Sequence, residues 1–192
     1  TRLGIPIIFG FDVIHGYKTI FPIPLAQAAS WEPDMIERIE RIAAEEASAD
    51  GQHWTFAPMV DISRDPRWGR NMEGSGEDPY LGSRIAEARV RGFQGKDLGA
   101  NNTVAACAKH FAGYGFVEAG REYNTVDLSE QRLREIILPP FQAAANAGSA
   151  TFMNAFNTIN GVPASMHKHL ITNILRGEWT WKGLVVSDWN SF

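Results

Sequence analysis

The chain has 192 residues, 44% of them apolar and 21% charged, with a formal net charge of −4. That composition belongs to a globular protein with a sizeable core, and its acids and bases are interspersed, leaving no basic footprint for nucleic acid or a membrane surface. No apolar run approaches the roughly 18 residues of a membrane span, and the single Cys107 excludes an internal disulfide and a cysteine zinc site.

In chain order, the first predicted element is a strand over 5–12, "IPIIFGFD". A helix follows in "PDMIERIERIAAEEASADG", where Ile36, Ile39, Ala43 and Ala47 share one stripe. Ser30 is its expected N-cap, Pro33 suits the first turn and Gly51 the stop. The second strand is "HWTFAPMVDI" (53–62), followed by a loop rich in Gly, Arg and acids, "SRDPRWGRNMEGSGEDPY". Arg64, Asp65 and Arg67 read as a salt-bridged surface. Gly74, Ser75 and Gly76 resemble a phosphate cradle only weakly, because Glu73 and Glu77 would repel an anion.

A second helix carries Leu81, Ile85, Ala88 and Phe93 on its apolar face, and leads into the strand "VAACAKHFAG" (104–113). "SEQRLREIILPPFQAAANAG" begins on a capping Ser129, and its Pro139-Pro140 pair should kink or split the helix. The strands "SATFMNAFN" (149–157) and "GLVVSDW" (183–189) flank a last helix in "HKHLITNILRGEW". The strands are near-continuously apolar and alternate with helices, which predicts an α/β fold with a parallel sheet covered on both faces. No dinucleotide or P-loop fingerprint is present. The chain starts without Met or a signal sequence and stops just past a strand, so it reads as an internal piece of a longer protein.

Every strand ends in polar groups: Asp12; Asp61 and then Arg64; Lys109 with His110; Asn154 and Asn157; and Asp188. In an α/β barrel, catalytic side chains come from those ends. A mixture of carboxylates, amides and cations suits a sugar, whose hydroxyls both donate and accept. Lys109 alone could instead form a Schiff base in an aldolase or lyase. As strand neighbours, Lys109 and His110 should face opposite ways unless a bulge redirects one. His167 and His169 look like a metal pair, yet positions i and i+2 diverge on a helix, and no metal or other cofactor is expected.

"GFDVIHG", "FAPMVDISRDPRWGRNMEGSGEDPYL", "AACAKHFAGYG", "EYNTVDLSEQRLREIILPPF", "MNAFNTINGVPAS" and "GLVVSDW" together resemble glycoside hydrolase family 3, in order and over essentially all 192 residues. They look closest to its periplasmic β-glucosidases. The resemblance implies that residues 1–192 are the middle and later part of an N-terminal (β/α)8-type TIM barrel, incomplete in this chain. An α/β sandwich domain would follow it and supply the acid/base glutamate, so the piece alone should be a poor catalyst. Neither Glu118 nor Glu122 is given that role.

By the same resemblance, Asp188 of "SDW" matches the family's nucleophile. Asp12, Arg70, Lys109 and His110 match residues that hold the sugar, and Trp189 could wall its apolar face. Asp188 must stay ionised, which asks for cations and hydrogen-bond donors around it. The implied activity is a retaining β-glucosidase acting on β-glucosides or cello-oligosaccharides. A β-xylosidase, a broader exo-glucanase and a non-catalytic sugar binder are the alternatives, and the implied location is periplasmic or secreted. Two departures stand out. Phe156 of "AFN" replaces a tyrosine common in relatives, and Tyr114 in "KHFAGYG", with no "DSH", disfavours the β-N-acetylglucosaminidase subgroup.

Overall fold

The computed structural model describes residues 2–191; Thr1 and Phe192, the two ends of the expected domain, lie outside the described residues. All five apolar runs contribute strands, each shorter than its run. They are β1 (Gly10–Phe11), β2 (Trp54–Thr55), β3 (Cys107–Phe111), β4 (Thr151–Asn154) and, after a hairpin of β5 (Thr158–Ile159) and β6 (Val162–Pro163), β7 (Leu184–Val186). β1 pairs with β2, β3 with β4 and β4 with β7, all in parallel. The segments that carry β2 and β3 meet through isolated parallel bridges at Trp54–Ala105, just before β3, and Met59–Lys109, just after β2.

The strands therefore lie side by side in chain order, as successive β-α units do. They form an open arc, and no closed barrel exists among the described residues. The expectation of strands covered on both faces holds at the centre only. β3 and β4 are buried throughout. At the margins, Ile7, Ile8, Phe9 and Phe11 stand exposed on one side, and Leu184 of β7 is 58% exposed on the other.

Helices cover the outer face: α1 (Pro24–Ala28), α2 (Pro33–Ala49), α3 (Pro79–Gln94), α4 (Glu130–Arg132) and α5 (Leu138–Asn146). α2 and α3 pack closely because position 92 is glycine; a Cβ there would lie 2.6 Å from both Glu37 O and Glu40 Cβ. The expected stripes are buried, with Leu81 only partly so. Asp78 caps α3, accepting from Leu81 N at 2.7 Å, and Ser129 caps α4, accepting from Arg132 N at 3.2 Å. Ser30 does not cap α2. Its hydroxyl donates to Gln27 O one turn earlier, and Glu32 occupies the N-cap position without a side-chain bond.

The split expected at Pro139-Pro140 takes the form of a π-helical turn, Leu133–Ile137, that leaves both prolines in the first turn of α5, where a missing N–H costs little. A second π-helical segment, His169–Glu178, precedes β7. Beneath the arc, Phe111 meets Phe141 and Phe152 edge-on at 5.2 and 5.7 Å, the geometry aromatic quadrupoles favour.

Candidate active site

The C-terminal ends of the strands open on one cleft of about 670 Å³. Its titratable lining is Asp12, Arg70, Glu73, Lys109, His110 and Asp188, with Trp189 at the rim, 82% exposed. All six residues expected at a sugar site are thus brought together.

Lys109 and His110 face the same cleft although they are neighbours on β3. The register against β4 slips between Lys109, opposite Met153, and Phe111, opposite Asn154. The extra residue is His110, and this bulge turns both side chains inward. Lys109 Nζ donates to Asp12 Oδ1 at 3.0 Å across the floor. His110 is fully buried and bonds twice to one oxygen of Asp61: its backbone N–H donates to Oδ2 at 2.8 Å, and Nδ1 shares a hydrogen with the same Oδ2 at 2.8 Å. Its other nitrogen, Nε2, lies 3.5 Å from Asp188 Oδ2.

Asp188 follows β7 directly. Its Oδ1 accepts from the backbone N–H of Trp189 at 2.6 Å, which pins the carboxylate, while Oδ2 is buried without a hydrogen-bond partner. One oxygen is held and the other is uncommitted at the cleft. The strand behind it is a half-covered sheet margin rather than the fully buried one that "LVVS" implies.

Arg70 is held by two acids. Nε and Nη2 donate to Glu73 at 2.7 and 2.9 Å, and Nη1 lies 3.9 Å from Glu122. Burial works against the Arg70 cation, but the bidentate bond to Glu73 and the nearby acids outweigh it and raise its pKa. Conversely, burial disfavours the Glu73 anion, yet Arg70 holds its pKa below the usual value. Glu122 also accepts from Trp68 Nε1 at 2.6 Å, so it is locked beneath the arginine.

Burial pushes Asp61 up to about 7 against the hydrogen bond from His110 N and the charges of Arg70 and Lys109. Burial, followed by the same two cations, holds His110 well below the usual histidine value.

Several strand-end residues serve the scaffold instead. Asn154 donates to Ala164 O, and Asn157 donates to Ala112 O and Thr158 O, bracing the turns. Asp65 and Arg67 form the expected surface ion pair, at 2.6 Å. His169 bonds Glu130 rather than acting with His167. Phe156 packs on Tyr123 and Tyr114, with ring centroids 5.0 and 5.8 Å away.

Sequence reasoning noted Asp61 as a strand-end acid but gave it no site role, and it gave none to Glu73 or Glu122. Glu73 carried a signal, lying three residues after Arg70. Glu122 carried none, because only the tertiary fold brings it from the loop after β3 to Trp68.

The model of the "Glycosyl hydrolase family 3 N terminal domain" matches residues 1–192. The chain is 50% identical to a periplasmic beta-glucosidase of Salmonella typhimurium over 98% of its own length and 25% of that protein's. It is 39% identical to a putative beta-xylosidase of Formosa agariphila, covering 98% of this chain and 26% of that one. Among solved structures it superimposes with a TM-score of 0.97 on a mutant beta-glucosidase of Listeria innocua in complex with laminaribiose, at 50% identity, covering 99% of this chain and 27% of that one. The chain spans about a quarter of the length of the curated relatives it matches.

Proposed function

Because the chain belongs to glycoside hydrolase family 3, we propose that its cleft binds the terminal β-D-glucosyl unit of a substrate and that the whole protein is a retaining β-glucosidase with Asp188 as nucleophile. The observation that carries this reading is the asymmetry of the Asp188 carboxylate. Oδ1 is anchored by the Trp189 amide, and Oδ2 is left without a partner beside His110.

In the reaction, Asp188 Oδ2 forms a bond to the anomeric carbon as the bond to the aglycone oxygen breaks. The departing oxygen takes a proton from an acid outside this chain, roughly 5–5.5 Å from the nucleophile in retaining enzymes. Water, deprotonated by the same group, then attacks the anomeric carbon and frees Asp188. Asp12, Lys109, Arg70 and His110 hold the ring hydroxyls, and charge-assisted bonds of this kind are the strong ones. Trp189 lies against the apolar face of the sugar.

The arc is read as part of a (β/α)8 barrel completed by strands outside this chain. Its in-order parallel pairing and its exposed apolar margins support that reading. A further α/β sandwich domain is the proposed source of the acid/base. The Salmonella relative supports a periplasmic location.

A β-xylosidase is the second reading, supported by the Formosa relative. A Schiff-base role for Lys109 is disfavoured, since its ammonium is engaged by Asp12 rather than presented free. The test is to treat the full polypeptide with an activated 2-deoxy-2-fluoro-β-glucoside and map the adduct by mass spectrometry. Label on Asp188 is the expected result. Label elsewhere overturns the assignment, and label only from the xyloside analogue favours the second reading.

A further inference from the structure

We propose that Asp61 is a positioning residue for the reaction: with His110 it shares one proton, and that proton decides whether Nε2 of His110 offers a hydrogen bond to the oxygens gathered at Asp188. This inference rests on the cleft being the glucosidase site.

Asp61 lies at the end of the segment after β2, buried to 2% exposure, and Oδ2 takes both of its bonds from His110. One oxygen holding the backbone and the ring of the same residue fixes the imidazole about every rotatable bond. Oδ1 is buried with no partner. An unmet carboxyl oxygen costs free energy, and a neutral amide could accept the same two N–H groups, so holding the His110 backbone does not by itself call for an ionisable group.

The pair has two states. With the shared proton present, as imidazolium beside carboxylate or as neutral imidazole beside carboxylic acid, Nε2 carries a hydrogen toward Asp188 Oδ2, 3.5 Å away. With the proton gone, the Asp61 anion keeps the hydrogen on Nδ1. Nε2 then turns a bare lone pair toward the lone pairs of Asp188. A sugar hydroxyl between them, or the ester oxygen formed on Asp188, finds a donor in the first state and none in the second.

The groups that bias this equilibrium surround it on every side. Arg70 and Glu73 come from the loop after β2, Lys109 from β3, Asp188 from behind β7, and the Tyr114 ring stands edge-on to the imidazole at 5.1 Å. Glu122 lies beyond it, against Arg70. The cations disfavour the extra proton and the carboxylates favour it, while burial penalises either charge. With burial pushing Asp61 up to about 7, the pair exchanges its proton near neutrality.

The test uses the full polypeptide and 2,4-dinitrophenyl β-glucoside, whose leaving group departs without acid help. Its kcat/KM then reports the attack on the anomeric carbon free of the acid glutamate. The wild type should show kcat/KM falling as pH rises through about 7. Asp61→Asn should lower kcat/KM at pH 6 by about tenfold to a hundredfold and abolish that fall, since its amide leaves Nε2 permanently bare. A role in folding alone would lower activity at all pH values and leave the fall in place, which overturns the inference. A wild-type profile without the fall overturns it with no variant at all. If Asp61→Asn does not fold, His110→Gln carries the test, and a retained fall there also overturns the pairing. Fluoroglucoside labelling runs in parallel. Label on Asp188 with an unmoved profile overturns the proton sharing alone, whereas no label on Asp188 overturns the reading of the cleft and this inference with it.

Discussion

Two arginine–glutamate pairs in this molecule use the same residue types to opposite ends. At the cleft, Arg70 places two parallel hydrogen bonds on Glu73, and both side chains remain about a quarter exposed. Between α2 and α3, Arg89 and Glu40 are fully buried at 3.4 Å, with neither Glu40 oxygen hydrogen-bonded and Arg89 helped only by Gln27 Oε1 at 3.1 Å. In the first pair geometry outweighs desolvation, and the acid is held below its usual pKa. In the second, desolvation outweighs the attraction and pushes Glu40 up to about 7. Proximity of charge is common to both; hydrogen-bond geometry and access to water separate them. Only the cleft pair is arranged to keep a cation permanently available to a ligand.

Variants that strike the two sites should separate these roles. Asp188→Asn should cost at least about 10³-fold in turnover of a nitrophenyl β-glucoside with the fold intact; retained turnover would remove the nucleophile from the cleft. Arg70→Lys loses the fork that Glu73 matches, and KM should rise about tenfold to a hundredfold with a smaller change in kcat.

Glu40→Gln should leave kcat and KM alone and act on stability instead. The folded pKa of Glu40, about 7, stands above the ordinary 4.5, so the folded state keeps a proton that the unfolded chain has lost. The resulting stabilisation is full below pH 4.5 and is lost as pH rises through 7, amounting to about 3 kcal/mol. Urea denaturation across that window should show the wild type losing this increment relative to Glu40→Gln. Parallel pH profiles for the two proteins would mean that Glu40 is not neutral in the fold. The smallest effect belongs to Glu122→Gln. Its amide oxygen still accepts from Trp68, and only the 3.9 Å contact with Arg70 weakens, so kcat/KM should fall less than about fivefold.

The sheet was legible because strands buried by neighbours write uninterrupted apolar runs, and those at Cys107–Phe111 and Thr151–Asn154 are buried as the runs imply. The cleft residues at strand ends were legible for a related reason: a carboxylate or lysine directly after such a run has few bland explanations, and family resemblance sharpened the choice among them. Register was not legible. The slip at His110 leaves no mark in the order "AKHF", because it is set by pairing with β4. The inward turn of Asn154 and Asn157 also depends on carbonyls brought near by folding. The hairpin Thr158–Pro163 was readable and overlooked: "NG" at Asn160-Gly161 is a strong turn signal, and both residues adopt positive φ, 49° and 80°.

The two margins of the arc have a consequence for a separate copy of the chain. β7 offers an outer edge at one side, and the apolar side chains of Ile7, Ile8 and Phe9 flank β1 at the other. The five strands of the arc run the same way, so the β7 edge of one copy can accept the β1 edge of the next in the pairing sense the arc already uses. Such a contact is head-to-tail rather than two-fold, and each addition regenerates the same pair of edges. Self-association of the isolated chain would therefore grow with concentration as an open polymer rather than stop at a dimer.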